Sequence, residues 1–452
     1  MVGRGRSRGS KCSWERWLEA VLVFLAVGLL PKKTLAQGTT PVLTLKQSIE
    51  IALERNLDVK VAEEEIAAAR EQEKQALTNF LPKFSVDYGY RRPSETSITS
   101  GGVTFETTDS NQWSLDGTIQ QPLFTGFANL SIYQLAKLGL DVAEIEFERA
   151  RLDLIFQVKE AYFDVVGAER LIDVAEQSVR QLEEGVRVAK NFYKVGISPK
   201  IDVLDAEVRL AETERGLIEA KNALGVAMAR FNTVLRFPID KPVAVEDILY
   251  TEPYKGTYES SVAIALQHRP ELLAAENTVA SAQQEVTLAK SDYYPTVTWS
   301  LKYYRRGDTP AVDGSEFTDR EFWETGATAT WTFFEWGKTR YAASERRVRV
   351  RQAEQILEKV KDSVRLEVKT AFLTMQSAEK AVKVAEKSIE SAEENFRISG
   401  ERYKEQVATA TEVLDAQTRL TQARVNYTTA LVALNLAWAR LIRAMGQEEE
   451  PN

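Results

Sequence analysis

The sequence predicts a mainly α-helical chain, organised as a tandem repeat, whose strands belong to a membrane β-barrel. Three observations predict this fold class: an internal duplication, two pairs of alternating segments of bilayer-spanning length, and helical stretches of about 65 residues. Residues 193–210 recur as residues 403–420, a shift of 210 positions with eight of eighteen residues identical. Ala52 and Pro82 recur as Ala265 and Pro295, a shift of 213. One unit was therefore duplicated almost without gaps.

Residues 1–36 have the layout of a secretory signal peptide. A basic start is followed by an apolar run at residues 20–30 and by the small Ala36. The run is too short to span a membrane as a helix, and an uncleaved N-terminal anchor is the alternative interpretation. The only cysteine, Cys12, lies in this segment, so we expect a mature chain without disulfides or thiolate metal sites.

The charge and the histidine content exclude several function classes. Removal of residues 1–36 takes away seven Lys or Arg and two Asp or Glu, which changes the formal net charge from −8 to −13. An acidic exported chain binds nucleic acid poorly. The only histidine, His268, is expected at the surface. We therefore expect no catalytic residues, no cofactor and no metal site.

The duplication sets the domain boundaries. We expect a signal peptide at 1–36, a first repeat at 37–235, a Pro-rich linker at 236–257, a second repeat at 258–446 and a C-terminal tail at 447–452. Each repeat begins with a helix rich in Ala, Glu, Lys and Gln, at 57–80 and at 271–293, and each of these helices stops at a proline. Alternating apolar and polar residues then predict one β-hairpin per repeat, at 83–122 and 296–334, around polar loops at 94–110 and 307–320.

A long helix follows each hairpin, at about 127–192 and 338–402. At 1.5 Å per residue, each would be roughly 100 Å long. A short break then reverses the chain into helices at about 200–235 and 410–445, so two shorter helices placed end to end match one long helix. Small apolar residues along these segments favour close helix packing.

The strands have one apolar face with aromatic residues towards its ends. We expect these side chains to mark two membrane interfaces, with Tyr90, Trp113, Tyr303 and Trp323 near one and Trp299 and Trp331 near the other. A soluble sheet with one buried face is the alternative, but the export signal favours the membrane. A sheet in lipid must close, and the smallest such barrels have about eight strands, so four strands per chain predict an oligomer. A trimer would supply twelve strands.

Several segments in this order resemble the TolC family of outer-membrane efflux channels, over essentially the whole mature chain. They are LTLKQSIEIALERN at 43–56, QQPLFTGF at 120–127, its counterpart TFFEWG at 332–337, and the related tips DVLDA at 202–206 and EVLDA at 412–416. The resemblance implies a homotrimer with a twelve-stranded barrel in the outer membrane, continued by a long α-helical barrel through the periplasm. It also implies a non-enzymatic channel subunit of a tripartite efflux or type I secretion system, with a periplasmic adaptor and an inner-membrane pump as partners.

The resemblance also assigns roles to the turns between the paired helices. The adaptor-facing turn of the family matches Val195, Gly196 and Ile197 in the first repeat. The second turn has Glu405, Gln406 and Val407, where the family pattern has a Val-Gly pair. We expect both turns to be adaptor-contact tips.

The family narrows its periplasmic entrance with acidic residues near these tips. The matching positions are Asp202, Glu412 and Asp415, and Asp205 occupies the equivalent position of the first repeat. Tyr403 matches a position that helps to hold the entrance closed. In a trimer these carboxylates would form a negative ring that attracts cations. For Glu412 the alternative is a purely structural capping box with Thr409.

Two other classes remain as alternatives at this point. A periplasmic coiled-coil adaptor would share the long helical hairpins but should contain compact β-rich domains. A structural envelope protein would lack the strand pairs. An enzyme is disfavoured, because the carboxylates lie along helix faces beside Lys and Arg, as solvated faces do.

Overall fold

The computed structural model describes residues 42–94, 97–106, 109–249 and 254–448. The predicted signal peptide, residues 250–253 of the linker and the last four residues lie outside this range. A large unit comprises Leu43–Lys241 and the chain from Val245 onward, and Val42 with Pro242–Ala244 belongs to a small second unit. Among the described helices, none combines the length and the apolar character that crossing a bilayer requires.

The helices of the two repeats correspond one to one. Each repeat has an 11-residue helix, a helix of about 20 residues, a 67-residue helix and a 35-residue helix. They are α1 (Leu45–Arg55), α2 (Leu57–Thr78), α3 (Ala128–Lys194) and α4 (Lys200–Val234), then α5 (Tyr258–His268), α6 (Pro270–Ala289), α7 (Lys338–Lys404) and α8 (Ala410–Ala444). The long helices begin and end within about two residues of the predicted bounds. The short helices α1 and α5 had not been predicted, and α6 ends before the predicted residue 293, with a 3-10 turn at Ser291–Tyr293.

Local capping explains the paired short helices. Thr44 forms a capping box with Gln47 at the start of α1. Asn56 ends α1 and also begins α2, because its Oδ1 accepts hydrogen bonds from the backbone N–H groups of Asp58 and Val59. Arg269 occupies the equivalent place in the second repeat, where Pro270 begins α6 at a position that needs no N–H donor.

The helices form a wall in which each long helix is matched by two shorter ones. α3 packs against α2 and α4 along one side and against α6 and α8 along the other, and α7 packs against α6 and α8. This arrangement confirms the predicted end-to-end stacking. The core is thickest at mid-height, where α1 and α5 add a further layer: Ala52 with Val158 in one repeat, and Ala265 with Val368 and Leu441 in the other, are completely buried.

The strands of both repeats join in one antiparallel sheet. Its strands are β2 (Lys83–Arg91), β5 (Gln112–Thr125), β7 (Thr296–Gly307) and β8 (Glu321–Thr330), in the order β2-β5-β7-β8. The remaining strands are short: β1 (Val42–Leu43), β3 (Ser97–Ser100), β4 (Val103–Glu106) and β6 (Ala244–Val245). The two hairpins therefore pair with each other through β5 and β7.

One prediction about the first hairpin was wrong. The segment 94–110 had been predicted as an irregular polar loop, but β3 and β4 form a second, small hairpin within it. Gly101 and Gly102 make the connection, with φ of 62° and 82°. A two-residue turn with positive φ at both positions matches the twist of paired strands, and Gly-Gly adopts it without steric cost.

Candidate functional site

The register of the sheet places the predicted aromatic residues on one face. Residues directly opposite each other in a sheet project to the same side. Tyr90 is opposite Trp113, and Tyr303 is opposite Trp323. Trp299 is opposite Ala327 on the same face, and Trp331 directly follows β8. Five of the six aromatic residues therefore share one face by register, and the sixth follows at the alternating position.

This face is exposed and has roughly the height of a bilayer core. Trp323 is 67% exposed and Trp331 is 59% exposed. These two residues are eight positions apart, or roughly 26 Å along the strand at about 3.3 Å per residue, which a strand tilt of about 40° reduces to roughly 20 Å of height. The lipid-facing band of outer-membrane barrels is about 25 Å tall. Between the two levels lie apolar side chains such as Val86, Ile119 and Leu301.

The opposite face of the sheet is polar and internally paired. Arg306 of β7 forms an ion pair with Asp116 of β5. Lys302 lies 3.6 Å from Glu324 of β8, and the Tyr304 hydroxyl donates a 2.6 Å hydrogen bond to the same carboxylate. An apolar face backed by a hydrated one is the pattern of a strand between lipid and a water-filled lumen.

The structure also identifies exposed aromatic residues that had not been assigned to the interface. Trp336 is 88% exposed, Phe333 is 81% exposed, and Phe334 packs edge-on against Trp336 with ring centroids 5.0 Å apart. They follow Trp331 in the run WTFFEW. The hairpin had been predicted to continue to residue 334, with Phe333 in its alternating pattern, but β8 ends at Thr330, so these residues follow the strand.

The first tip is a compact turn closed by a glycine. Gly196 has φ of 77°, and the N–H of Ile197 donates to the carbonyl of Phe192 over 2.8 Å. This hydrogen bond ends α3 in the manner of a Schellman motif. The flanking Val195 is 69% exposed and Ile197 is 48% exposed. The tip therefore presents apolar side chains to the surroundings.

The second tip has the same backbone without a glycine. Gln406 has φ of 61°, and the N–H of Val407 donates to the carbonyl of Arg402 over 2.9 Å. Val407 is 63% exposed, as its counterpart Ile197 is exposed at the first tip. The missing Val-Gly pair thus leaves the shape of the turn unchanged, although a left-handed backbone at a non-glycine residue costs about 1 kcal/mol.

This cost predicts the effect of a single substitution. We expect Gln406→Gly to raise the free energy of unfolding by a few tenths to about 1 kcal/mol, because glycine adopts positive φ without steric strain. The converse change Gly196→Gln should lower it by about 1 kcal/mol. Denaturant unfolding of the purified protein, followed by circular dichroism, measures both. A loss of stability in Gln406→Gly would contradict this explanation.

The predicted entrance residues lie next to the tips. Asp202 is half-buried, whereas Asp205, Glu412 and Asp415 are exposed. Asp202 and Asp205 lie in the first two turns of α4, and the other two occupy the equivalent turns of α8. Within one chain the structure thus brings all four carboxylates to the same end of the helical wall.

The capping alternative for Glu412 is only partly realised. Its backbone N–H donates to Thr409 Oγ1 over 3.3 Å, so Thr409 is the N-cap of α8. The carboxylate does not return to the backbone N–H of Thr409, as a capping box would need; it lies 3.6 Å from Arg402 Nη1. The side chain of Glu412 therefore remains on the exposed surface.

Tyr403 links the ends of the two long helices. Its ring packs against Phe192 of α3, with centroids 5.4 Å apart. Burial, and secondly the negative charge of Asp202, raises the pKa of the Tyr403 phenol above its ordinary value. The phenol is therefore neutral at physiological pH. His268, by contrast, is exposed as predicted, and the described residues include no group of three or more His, Cys, Asp or Glu side chains arranged to hold a metal ion.

Comparison with known proteins identifies first the class and then the family. The solved structures of CusC, which concern folding and transmembrane channel formation, superpose with a TM-score of 0.78 at 16% identity, covering 92% of this chain and 96% of CusC. The fold is therefore that of the TolC-like channels. The family of outer membrane efflux proteins matches residues 48–235 and 262–447. The chain belongs to this family, which confirms the resemblance stated from the sequence.

Two curated relatives show the range within the family. The probable efflux pump outer membrane protein SepC of Pseudomonas putida is 24% identical over 263 residues, which are 56% of this chain and 52% of SepC. The alkaline protease secretion protein AprF of Pseudomonas aeruginosa is 23% identical over 288 residues, or 63% of this chain and 59% of AprF. The chain thus spans between half and three fifths of the length of these relatives.

Proposed function

We propose that three copies of this chain form one outer-membrane channel that continues into the periplasm as a helical duct. The observation that carries the proposal is the four-stranded sheet with one exposed aromatic face and two edges. In the order β2-β5-β7-β8, the strands β2 and β8 each pair on one side only within the described residues. Lipid cannot satisfy unpaired backbone groups, so a sheet that enters a bilayer must close on further copies.

The helical wall supports the same assembly. Its two sides are α4 and α7, and both carry exposed apolar residues: Ile218 of α4 is 69% exposed, and Leu366 and Val384 of α7 are 68% and 72% exposed. Such residues gain roughly 1.5–3 kcal/mol each when they are fully buried. Packing α4 of one copy against α7 of the next would bury them and would continue the threefold arrangement from the sheet to the helices.

We further propose that both tips contact a periplasmic adaptor, which connects the channel to an inner-membrane pump. The exposed apolar residues Val195, Ile197 and Val407 support this role, because apolar side chains at both tips offer surface that a bound protein would bury. The names of SepC and AprF indicate efflux and protease secretion respectively, and this chain serves one of these two kinds of export. A catalytic function has no support from the family, whose named members are efflux and secretion proteins.

The coiled-coil adaptor and the structural envelope protein are less favourable alternatives. Both would leave the aromatic face of a bilayer-length sheet without an apolar environment. Exposure of Phe84 and Val86, each at 73%, together with Trp323, would be costly for a protein surrounded by water.

Conductance tests the channel directly. We expect the purified mature protein to migrate as a trimer and to give discrete ion conductance in a planar bilayer. The double variant Glu412→Gln with Asp415→Asn controls for an entrance that is closed in the isolated protein. A monomer, or no conductance from either protein, would overturn the proposal.

Cross-linking tests the adaptor contact. Because Cys12 is the only cysteine, Gly196→Cys and Gln406→Cys each introduce a single thiol into the mature part of the chain. We expect both variants to capture a periplasmic protein in intact cells, whereas Glu63→Cys on α2, far from the tips, should not.

A further inference from the structure

A cavity lies between the four helices close to the tips. It has a volume of about 350 Å³ and is lined by residues of α3, α4, α7 and α8. Its walls are mainly apolar and include Leu182, Val188, Phe396, Val413 and Leu414. Four exposed charged residues also contribute to the lining: Glu184, Arg397, Glu401 and Lys404. The size and the apolar lining are those of a small-molecule site, since such pockets measure about 300–1,000 Å³.

Two polar atoms of the lining residues have no hydrogen-bond partner within the described part of the chain. They are the hydroxyl of Tyr403 and Oε1 of Gln417, and both atoms are buried. Gln417 is 3% exposed, and its Nε2 donates to Gln181 Oε1 over 2.5 Å, which fixes the orientation of the amide. A buried acceptor without a hydrogen bond costs about 1–3 kcal/mol. A ligand group that donates a hydrogen bond to it would recover part of this free energy on binding.

Two glycines enlarge the cavity at a cost to helix stability. Gly185 of α3 and Gly400 of α7 both line it, and a Cβ at either position would meet no atom within 4 Å. Neither glycine is needed for close packing, and each destabilises its helix by about 0.5–1 kcal/mol relative to alanine. The open space is therefore maintained against local helix preference.

Water alone is a poor occupant of this space. The cavity is partly open to solvent, and its volume of about 350 Å³ would hold roughly ten water molecules at about 30 Å³ each. Most of them would face aliphatic walls, whereas a buried water needs two to four polar partners. Charged ligands are disfavoured because the charged lining residues are exposed, and Glu184, Arg397 and Glu401 are already engaged in ion pairs. The apolar part of the walls would not replace the hydration of a further charge.

We propose that this cavity binds a neutral amphipathic small molecule, with an apolar body and one O–H or N–H donor. The donor pairs with Gln417 Oε1, the Tyr403 hydroxyl completes the polar contact, and the apolar body lies against Phe396 and Leu414. Because the ligand touches α3 and α4 of one repeat and α7 and α8 of the other, it stabilises their present arrangement. We call this stabilisation of the four helices by the ligand bracing. It would oppose opening of the entrance, a consequence that rests on the proposed channel function.

Calorimetric titration with 1-naphthol tests the binding, using the mature protein in detergent with the detergent buffer as blank. We expect one saturable site per chain. Gly400→Leu and Gly185→Leu fill the cavity from two different helices and should each weaken binding by about tenfold or more. Gly400→Ala restores helix preference with little added volume and should bind like the wild type. Melting curves by circular dichroism identify any variant that fails to fold.

The donor contact has its own controls. Tyr403→Phe removes only the unpartnered hydroxyl and should weaken 1-naphthol about two- to tenfold. The donor-free 1-methoxynaphthalene should bind several-fold more weakly than 1-naphthol to the wild type. An absence of saturable binding, or equal binding to wild type, Gly400→Leu and Gly185→Leu, would overturn the site.

The bracing is tested separately by conductance. Saturating 1-naphthol should lower the open probability of the wild-type channel and leave Gly400→Leu unaffected. Saturable binding without this difference would overturn the bracing alone, and a protein that binds 1-naphthol but never conducts would contradict the channel function and leave the site intact.

Discussion

Neutralising Glu412 and Asp415 together should lower the preference of the open channel for cations over anions by about tenfold. In a trimer, the double variant Glu412→Gln with Asp415→Asn removes two carboxylates from each chain near the narrow end. A carboxylate about 6 Å from a hydrated cation contributes about 0.7 kcal/mol at the dielectric constant of water, so two of the six carboxylates removed from the trimer suffice for a factor of about ten. The loss of cation preference is larger still, because Arg402, 3.6 Å from Glu412, keeps its positive charge when the Glu412 carboxylate is removed.

The reversal potential in a tenfold KCl gradient across a planar bilayer measures this selectivity. Glu63→Gln with Glu64→Gln is the matched control, because it removes the same charge from exposed positions of α2, beyond mid-height from the tips. The control should leave selectivity within about twofold of the wild type, since exposed charges beyond a Debye length are screened. Equal selectivity of the entrance variant and the wild type would show that these carboxylates do not line the ion path.

The helical part of the fold was predictable because its signals are local. Long runs without Pro and rich in good helix formers predict the lengths of α3 and α7, and the duplicated sequence predicts the same helices in each repeat. The faces of the strands were predictable for the same reason. Apolar and polar residues alternate along 83–91, and these residues pair with β5 in one uninterrupted register. The hairpin of β3 and β4 was missed because its residues are mostly polar, although the Gly101-Gly102 pair is a recognised turn signal.

Features that depend on distant residues could not be predicted in this way. The second tip lacks the glycine of the first, yet Gln406 accepts the same left-handed backbone, because the helices on either side impose the turn. The contact of Tyr403 with Phe192 joins residues 211 positions apart. The cavity between the four helices likewise exists only once α3 and α7 are adjacent. The carboxylates at the tips were found through the resemblance, and their convergence in a trimer stays a prediction.

An ion-pair network around the buried Arg269, at mid-height, is another feature that only the structure reveals. Arg269 is 4% exposed, and its guanidinium lies 2.9 Å from Glu271 and 2.6 Å from Glu367. Arg443, near the end of α8, lies 2.9 Å from Glu367 and 2.6 Å from Asp153 of α3. Glu367 of α7 therefore connects both arginines, and the network joins α3, α6, α7 and α8 at one level.

Arg269→Met should lower the free energy of unfolding by about 3 kcal/mol or more, the largest effect expected from a single substitution in this chain. The methionine keeps much of the apolar stem but leaves Glu271 and Glu367 with Arg443 as their shared cation. It also removes the donor to the carbonyl of Ala444, 3.3 Å from Arg269 Nη1. The loss is costly because the Arg269 guanidinium is itself buried, so the substitution removes its ion pairs and its carbonyl contact in a site that little water reaches.

Arg346→Met provides the matched control, because Arg346 also connects α6 and α7, through a 2.8 Å ion pair with Glu285. Both side chains of that pair are more than a third exposed, so its loss should cost only about 0–1 kcal/mol. Denaturant unfolding in detergent compares the two variants under identical conditions. If they proved equally stable, burial would not be what strengthens the Arg269 network, and the mid-height junction would depend on apolar packing around Ala265 and Leu441 instead.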